Sequence, residues 1–446
     1  MELTPDHIAI LGKVRRRLLP ILMLCYFAAF LDRVNIGFAA LRMNEDLHLT
    51  ATAFGAGAGL FFLGYVVCEV PSNLILAKVG ARGWIARIMI TWGIISACTA
   101  FVWDRNSFYA VRVALGAAEA GFFPGLLFYC TLWFPRAYRA RIYGLTQIAV
   151  PISSVIGAPL SSLILTTLDG AVGLKGWQWL FLIEGAPALI MGIVVWLALP
   201  SRPEDAAFLS AREKTVLTDL LAQERASRER EERFSVWQAM TDGRVAAMCL
   251  IALGLVIGTT GAAIWMPQFV KTFGLNTMQV GLVTAVPSLV AVVVTLFAGW
   301  NADRTGARVA HVAVPFLCAA AGFVLAAETA SPVFGLLGLV IGTAGIAAGS
   351  PSVWVLPTAL LTGTASAAGL ALINATGSTG GFFGPYVIGW VRDATGSFSV
   401  PLLFLAAVMA AAAGVVILLG RRMRVVLSPE HFRALSTTQS TSEVAP

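Results

Sequence analysis

The chain has 446 residues, 58% of them apolar and 12% charged, against about 25% charged residues in an ordinary soluble domain. That composition excludes a water-soluble globular protein. The net charge of +7 leaves nucleic acid or anionic lipid as partners to be weighed, and the placement of the charges decides between them.

Runs of about 20 apolar residues, each able to cross a hydrocarbon core of about 30 Å as a helix, recur from Leu18 to Leu418. The pattern predicts an all-α membrane protein with twelve transmembrane helices, over 18–41, 53–78, 83–102, 108–133, 141–168 and 178–199, then 245–270, 277–301, 309–327, 333–357, 365–391 and 399–420. The charged and polar start, through Arg15, Arg16 and Arg17, has no small-residue cleavage site after a short apolar core and reads as no removable signal peptide. Residues 1–200 form an N-terminal six-helix bundle, 201–244 a polar linker, 245–422 a second six-helix bundle and 423–446 a tail. Within the linker, Ser210 stands three residues before Glu213, a capping box for an amphipathic helix with Val216 and Leu220 on one face. This helix is expected to bridge the two halves.

Of the 31 Lys and Arg residues, 24 fall on one side of the membrane if the termini share a compartment. Only Arg42, Arg105, Lys175, Lys271 and Arg392 fall on the other. The positive-inside rule places both termini in the cytoplasm. The basic charge is a topology signal, and no nucleic acid is expected as a partner. Cys25, Cys68, Cys98, Cys130, Cys249 and Cys318 all lie in apolar runs without paired spacing and read as small buried residues.

An internal repeat links the halves. AKVGARGW, with Gly80 and Arg82, follows the second span, and ADRTGARV, with Gly306 and Arg308, follows the eighth. Pro159 and Pro385 match at the same offset, since 306 − 80 and 385 − 159 both equal 226. A duplicated six-helix unit puts a substrate site between the halves, near the midplane.

No phosphate-cradling loop surrounds any of the five lysines, which excludes a pump driven by ATP. The glycine cluster Gly55 to Gly64 lies inside a span and reads as close helix packing. His7, His48, His311 and His431 form no cluster, so no metal site is expected, there is no catalytic constellation, and proton transfer falls to carboxylates.

A charge at the centre of a membrane helix costs about 2.5–3.5 kcal/mol even on the lenient insertion scale. Asp32, Arg33, Arg112 and Glu119 stand out on that ground. At about 1.5 Å per residue, Asp32 and Arg112 come level, about 8–9 Å below the same surface, and are expected to pair. Glu119, seven residues beyond Arg112, lies about 18 Å down on the same helical face. The four charges sum to zero, so one reading is an ion-pair network that pins helices one and four. The other is a switch. A carboxylate that takes the guanidinium of Arg33 leaves an acidic partner without its cation, and that acid takes up a proton, so anion and proton bind together. Arg suits the role because its planar fork engages a carboxylate through two bonds. Glu69 and Glu184 lie toward span ends and are expected to be satisfied by water or backbone amides.

DRVNIGFAAL, GYVVCEVPSNLILAKVGARGWIARIMITWGI, RVALGAAEAGFFPGLLFYCTLWFP, WQWLFLIEGAPALIMG, SRPEDAAFLSAREK and LPTALLTGTASAAGLALINATGSTGGFFGP are spread along the chain from Asp32 to Pro385. In these passages it resembles the anion:cation symporters of the major facilitator superfamily, above all bacterial proton-coupled permeases for sugar acids, tartrate, phthalate and other aromatic or hydroxy acids. The resemblance implies Arg33 as the carboxylate anchor, Asp32 and Glu119 as the proton-coupling acids, Arg112 as their support, and Tyr65, Trp354 and Asn374 as groups that meet the substrate. Gln147 joins them as nearly the pseudo-symmetric mate of Asn374 (147 + 226 = 373). The superfamily's loop signature is complete in ADRTGAR, which points to Asp303, Arg304 and Arg308 as a cytoplasmic gate; after helix two Ala77 and Lys78 replace its acid and its Arg.

The expected activity is uptake of a small organic carboxylate by proton symport through alternating access, in a bacterial inner membrane, by a monomer with no cofactor and the proton gradient as its energy source. An exporter or exchanger of the same fold is the first alternative; the fragmentary Gly-Pro motif in SVIGAPLSSLI makes proton-driven export less favoured. A membrane sensor that binds an acid without moving it is the second, and it has no use for protonatable groups at the midplane.

Overall fold

Backbone amides and carbonyls find no water inside a bilayer, so apolar runs of this length close their hydrogen bonds within helices. The computed structural model describes residues 4–228, 242–360 and 364–423, and no strand occurs among them. The N-terminal half comprises α1 (Pro5–Asp46), α2 (Ala51–Val79), α3 (Ala81–Cys98), α4 (Arg105–Glu119), α5 (Phe122–Thr131), α6 (Arg136–Gln147), α7 (Ala149–Thr167) and α8 (Gly176–Ala198). The linker helix α9 is Ala211–Arg228. The second half comprises α10 (Gly243–Lys271), α11 (Thr277–Thr305), α12 (Ala310–Glu328), α13 (Pro332–Leu360), α14 (Thr364–Thr395) and α15 (Ser399–Arg422).

Among the described residues, 11 segments are long and apolar enough to cross a membrane, with α4 and α5 taken together as Arg105–Thr131. The twelfth expected span is α14, whose Gly, Ser and Thr residues dilute its hydropathy but whose 32 residues pack between α2 and α10.

The predicted spans differ from the helices in instructive ways. The first begins at Pro5, not Leu18, because Thr4 caps it and the run Lys13 to Arg17 continues the helix beyond the apolar stretch. The fourth breaks directly after Glu119. Ala120 leaves the helical region and Gly121 takes φ +86°, while the Ser72 hydroxyl on α2 donates to the freed Ala120 carbonyl at 2.6 Å. Only glycine fits position 121, because a Cβ there would meet Ser72 Oγ at 2.3 Å.

The duplication is visible end for end: shifted by 226, Ala51–Val79 of α2 becomes Thr277–Thr305, the bounds of α11. Gly80 and Gly306 both follow these helices with positive φ, +96° and +69°. The halves meet through α2 with α14, α7 with α11, and α1 with α10. The first two are the same contact seen from each half, as a two-fold axis along the membrane normal requires. The glycine cluster of α2 serves this approach, since a Cβ on Gly55 would lie 2.3 Å from the Pro385 carbonyl oxygen and one on Gly59 would lie 2.8 Å from that of Phe382.

The linker helix forms as expected: Ser210 N–H donates to Glu213 at 2.7 Å and Glu213 N–H to Ser210 Oγ at 3.3 Å. Its buried face is Leu217, Leu220 and Leu221, with Val216 at the edge. It does not bridge the halves among the described residues. Its ion pairs run to the N-terminal half, Lys13 to Glu213 at 2.9 Å and Arg139 to Glu224 at 2.8 Å, and residues 229–241 lie outside those described. Six cysteines are free, but Cys98 and Cys318 are exposed, not buried, because a span's lipid-facing side also tolerates a small apolar residue.

The Ser210 amide and Lys13 hold the Glu213 carboxyl below its ordinary range. A lowered acid stabilises the docked helix above the ordinary carboxylate pKa, and that contribution disappears as pH falls through the lowered value. Ser210→Ala should destabilise α9 by about 1 kcal/mol, measured as faster amide exchange across Ala211–Arg228 with the membrane helices unchanged. Equal exchange in both proteins would show that the cap is not needed.

Candidate functional site

Helix α1 presents Tyr26, Ala29, Phe30 and Arg33, at i, i+3, i+4 and i+7, to a cavity between the halves. Phe62 and Tyr65 of α2, Glu119 at the break, Phe122 and Phe123 of α5, and Asn374 and Ser378 of α14 complete its wall. Four of the predicted residues, Arg33, Tyr65, Glu119 and Asn374, therefore line one chamber. The other five aromatic side chains, Tyr26, Phe30, Phe62, Phe122 and Phe123, were not anticipated, although the spacing of Tyr26, Phe30 and Arg33 on one face is visible in the sequence, as is Ser378 one turn after Asn374.

Arg33 and Glu119 form the ion pair of this chamber through Nη2 and Oε1. Their exposures differ: the Arg33 side chain is 31% exposed and that of Glu119 1%. Of the pair, the Arg33 side chain is the member open to the cavity. Glu119 Oε2 and Arg33 Nε have no partner, so each retains an unused hydrogen-bonding position. Phe61 lies between two cations, 5.6 Å from the Arg33 guanidinium carbon and 5.1 Å from that of Arg112.

The expected pair of Asp32 with Arg112 is not formed among the described residues. Helix α3 supplies two partners instead: Trp92 Nε1 donates to Asp32 Oδ2 at 2.8 Å and Ser96 donates to Oδ1, while Asn35 Nδ2 of α1 itself adds a bond at 3.1 Å. These three donors occupy the lone pairs that Arg112 was expected to take. Arg112, buried, turns its Nη2 toward the Ala58 carbonyl at 3.5 Å and keeps an unpartnered Nε. Glu184 departs from expectation too. It is buried, not near water, and accepts one bond, from Ser161 Oγ at 2.7 Å.

Trp354 is half-buried against the second half's apolar core and does not line the chamber. The side chain of Gln147, at the end of α6, lies outside the described residues. Asp303 pairs with Arg308, and the Arg304 guanidinium sits 5.5 Å from the Trp300 ring, contacts made within one half.

Two similar bundles, a broken helix at a buried acid and a charged chamber on the axis between them are the arrangement of an alternating-access carrier. Residues 22–385 match the Major Facilitator Superfamily. The chain belongs to that superfamily. It is 48% identical over 412 residues to a putative tartrate transporter of Agrobacterium vitis, across 92% of this chain and 91% of that one. It is 42% identical over 393 residues to the putative metabolite transport protein NicT of Pseudomonas putida, across 87% and 89%. These relatives agree with the anion:cation symporter resemblance. Among solved structures, a D-xylose-proton symporter has the same fold at TM-score 0.73 and 16% identity, covering 90% of this chain and 96% of that one. A bacterial homologue of the human lysosomal transporter Spinster follows at TM-score 0.70 and 18%, covering 97% and 99%. This facilitator is thus a multi-pass membrane transporter and not an enzyme.

Proposed function

We propose that the protein takes up a small organic carboxylate by proton symport, in the bacterial inner membrane with both termini cytoplasmic. The observation that carries this reading is the Arg33–Glu119 pair, with its cation open to the chamber and its acid hidden behind it. An entering carboxylate exchanges with Glu119 for the guanidinium. The displaced Glu119, left in an apolar wall without a cation, takes up a proton, so each carboxylate group that engages Arg33 is bound together with one proton. Tyr65, Asn374 and Ser378 offer hydroxyl and amide groups to the rest of the substrate, and the aromatic wall excludes water. Arg112 balances the charge of Asp32 without an ion pair between them, and Asp32 is the second coupling acid. Gln147 and Trp354 enter the substrate site, and Asp303, Arg304 and Arg308 act at the cytoplasmic gate, in the alternate state of the cycle. The names of the tartrate relatives support a hydroxylated dicarboxylate as the first substrate to try. No cofactor is required, and the working unit is a monomer.

The reading is tested by binding. L-tartrate, sugar acids and aromatic acids are screened for a rise in unfolding temperature of the purified protein. The acid that binds should bind about tenfold more weakly to Arg33→Lys, which keeps the charge and loses the fork. An unchanged affinity would remove Arg33 from the site.

A further inference from the structure

The coupling scheme above leaves one buried acid unused. Glu184, on α8, is 1% exposed and faces three other helices. From α7 it receives the single Ser161 hydroxyl. From α1 the ionisable group on this side is Asp32, which takes the hydroxyl of Ser96 beside Gly185. From α3 comes Ser96, whose hydroxyl bonds to Asp32 and sits where a Cβ on Gly185, the neighbour of Glu184, would be 3.4 Å away. Among the described residues no ion pair includes Glu184, and its Oε2 has no partner.

The two acids thus share one neighbourhood but differ in what surrounds them. Asp32, with three donors, sits in a cradle for a carboxylate; Glu184, with one hydroxyl and no cation, sits in a site for a neutral acid. Charge count leads the same way. Asp32, Arg33, Arg112 and Glu119 already sum to zero, so an ionised Glu184 would add an uncompensated charge inside the membrane. Paired acids whose surroundings favour opposite protonation states are the usual arrangement for moving a proton.

We propose that Glu184 is a proton-relay acid that holds a proton while Asp32 is ionised and hands it to Asp32 during the cycle. In that step one O–H bond breaks at Glu184 and one forms at Asp32, with the net charge of the bundle unchanged. The proposal rests on the proton-symport reading, but its test needs no substrate. Infrared spectra of the full-length protein in lipid vesicles are compared between acidic and alkaline buffer. The wild type should show the C=O band of a protonated, dry carboxyl at neutral pH, absent from Glu184→Gln and kept in Glu184→Asp. In Asp32→Asn, with the repelling neighbour removed, the same band should be lost at less alkaline pH than in the wild type. A band that survives Glu184→Gln, or one that titrates identically in Asp32→Asn and the wild type, would overturn the relay. A Glu184 out of electrostatic reach of Asp32 would not respond to Asp32→Asn. Failure of the symport reading shows itself separately, as an absence of proton-driven accumulation in the wild type.

Discussion

Glu119→Gln should lose proton-driven accumulation of the substrate while keeping exchange of substrate for substrate, and it should bind the carboxylate about tenfold more tightly at neutral pH. On the proposed reading the anion competes with Glu119 for the Arg33 guanidinium, and each binding event requires the ion pair to open and a proton to arrive. A glutamine cannot be the competitor and cannot take the proton. Affinity therefore rises, and the part of its pH dependence that comes from Glu119 disappears. Leaving one member of a buried pair alone ordinarily costs about 3–5 kcal/mol. Here Arg33 faces the chamber with 31% of its side chain exposed, so water hydrates it and the variant should fold. Radiolabelled exchange and calorimetric titration across pH measure both effects. Equal loss of accumulation and exchange, with unchanged affinity, would favour a pair that only pins α1 to α4.

Asp393→Ala should release the closure on the side of the membrane opposite the basic termini. There the carboxylate of Asp393, near the end of α14, crosses to the other half and accepts from the first turn of α2: Ala51 N–H at 3.0 Å, Thr52 N–H at 2.7 Å and Thr52 Oγ1 at 2.6 Å. Thr50 caps the next amide itself, donated by Ala53 at 3.1 Å. A helix start exposes amides without intrahelical partners and carries partial positive charge, so an acid suits it on both counts. When the halves part on this side, as alternating access demands, these bonds must pass to water. Three bonds at about 1 kcal/mol each correspond to a shift of roughly a hundredfold in the closed-to-open ratio. Spin labels at the exposed positions Val172 and Val333, one on each half, should show a longer distance population in Asp393→Ala. An unchanged distance distribution would mean that glycine packing alone, such as Gly389 against the Ala51 carbonyl, holds this side shut.

Much of the fold was legible in the sequence because the bilayer allows few alternatives: apolar length sets each span, and charge asymmetry with the 226-residue offset sets the pairing of halves. The break after Glu119 was not legible, since it depends on Ser72 reaching across from α2 to satisfy Ala120. The site was half legible. Arg33 and Glu119 stood out as charges in apolar runs, and their pairing needs only two helices at matching depth. The partner of Asp32 was misjudged because depth along a helix says nothing about which neighbour arrives first; Trp92 and Ser96 on α3 fill the carboxylate before Arg112 does. Glu184 was misplaced for the same reason, since counting from a span's end does not reveal that three other helices close over it.

Proton-driven accumulation in proteoliposomes tests the central claim most directly. Purified protein is reconstituted, an inward proton gradient is imposed, and the internal concentration of the acid found by the thermal-shift screen is followed. Accumulation above the external concentration, abolished when a protonophore collapses the gradient, is the predicted result. Equilibration to the external concentration with or without the gradient would contradict it.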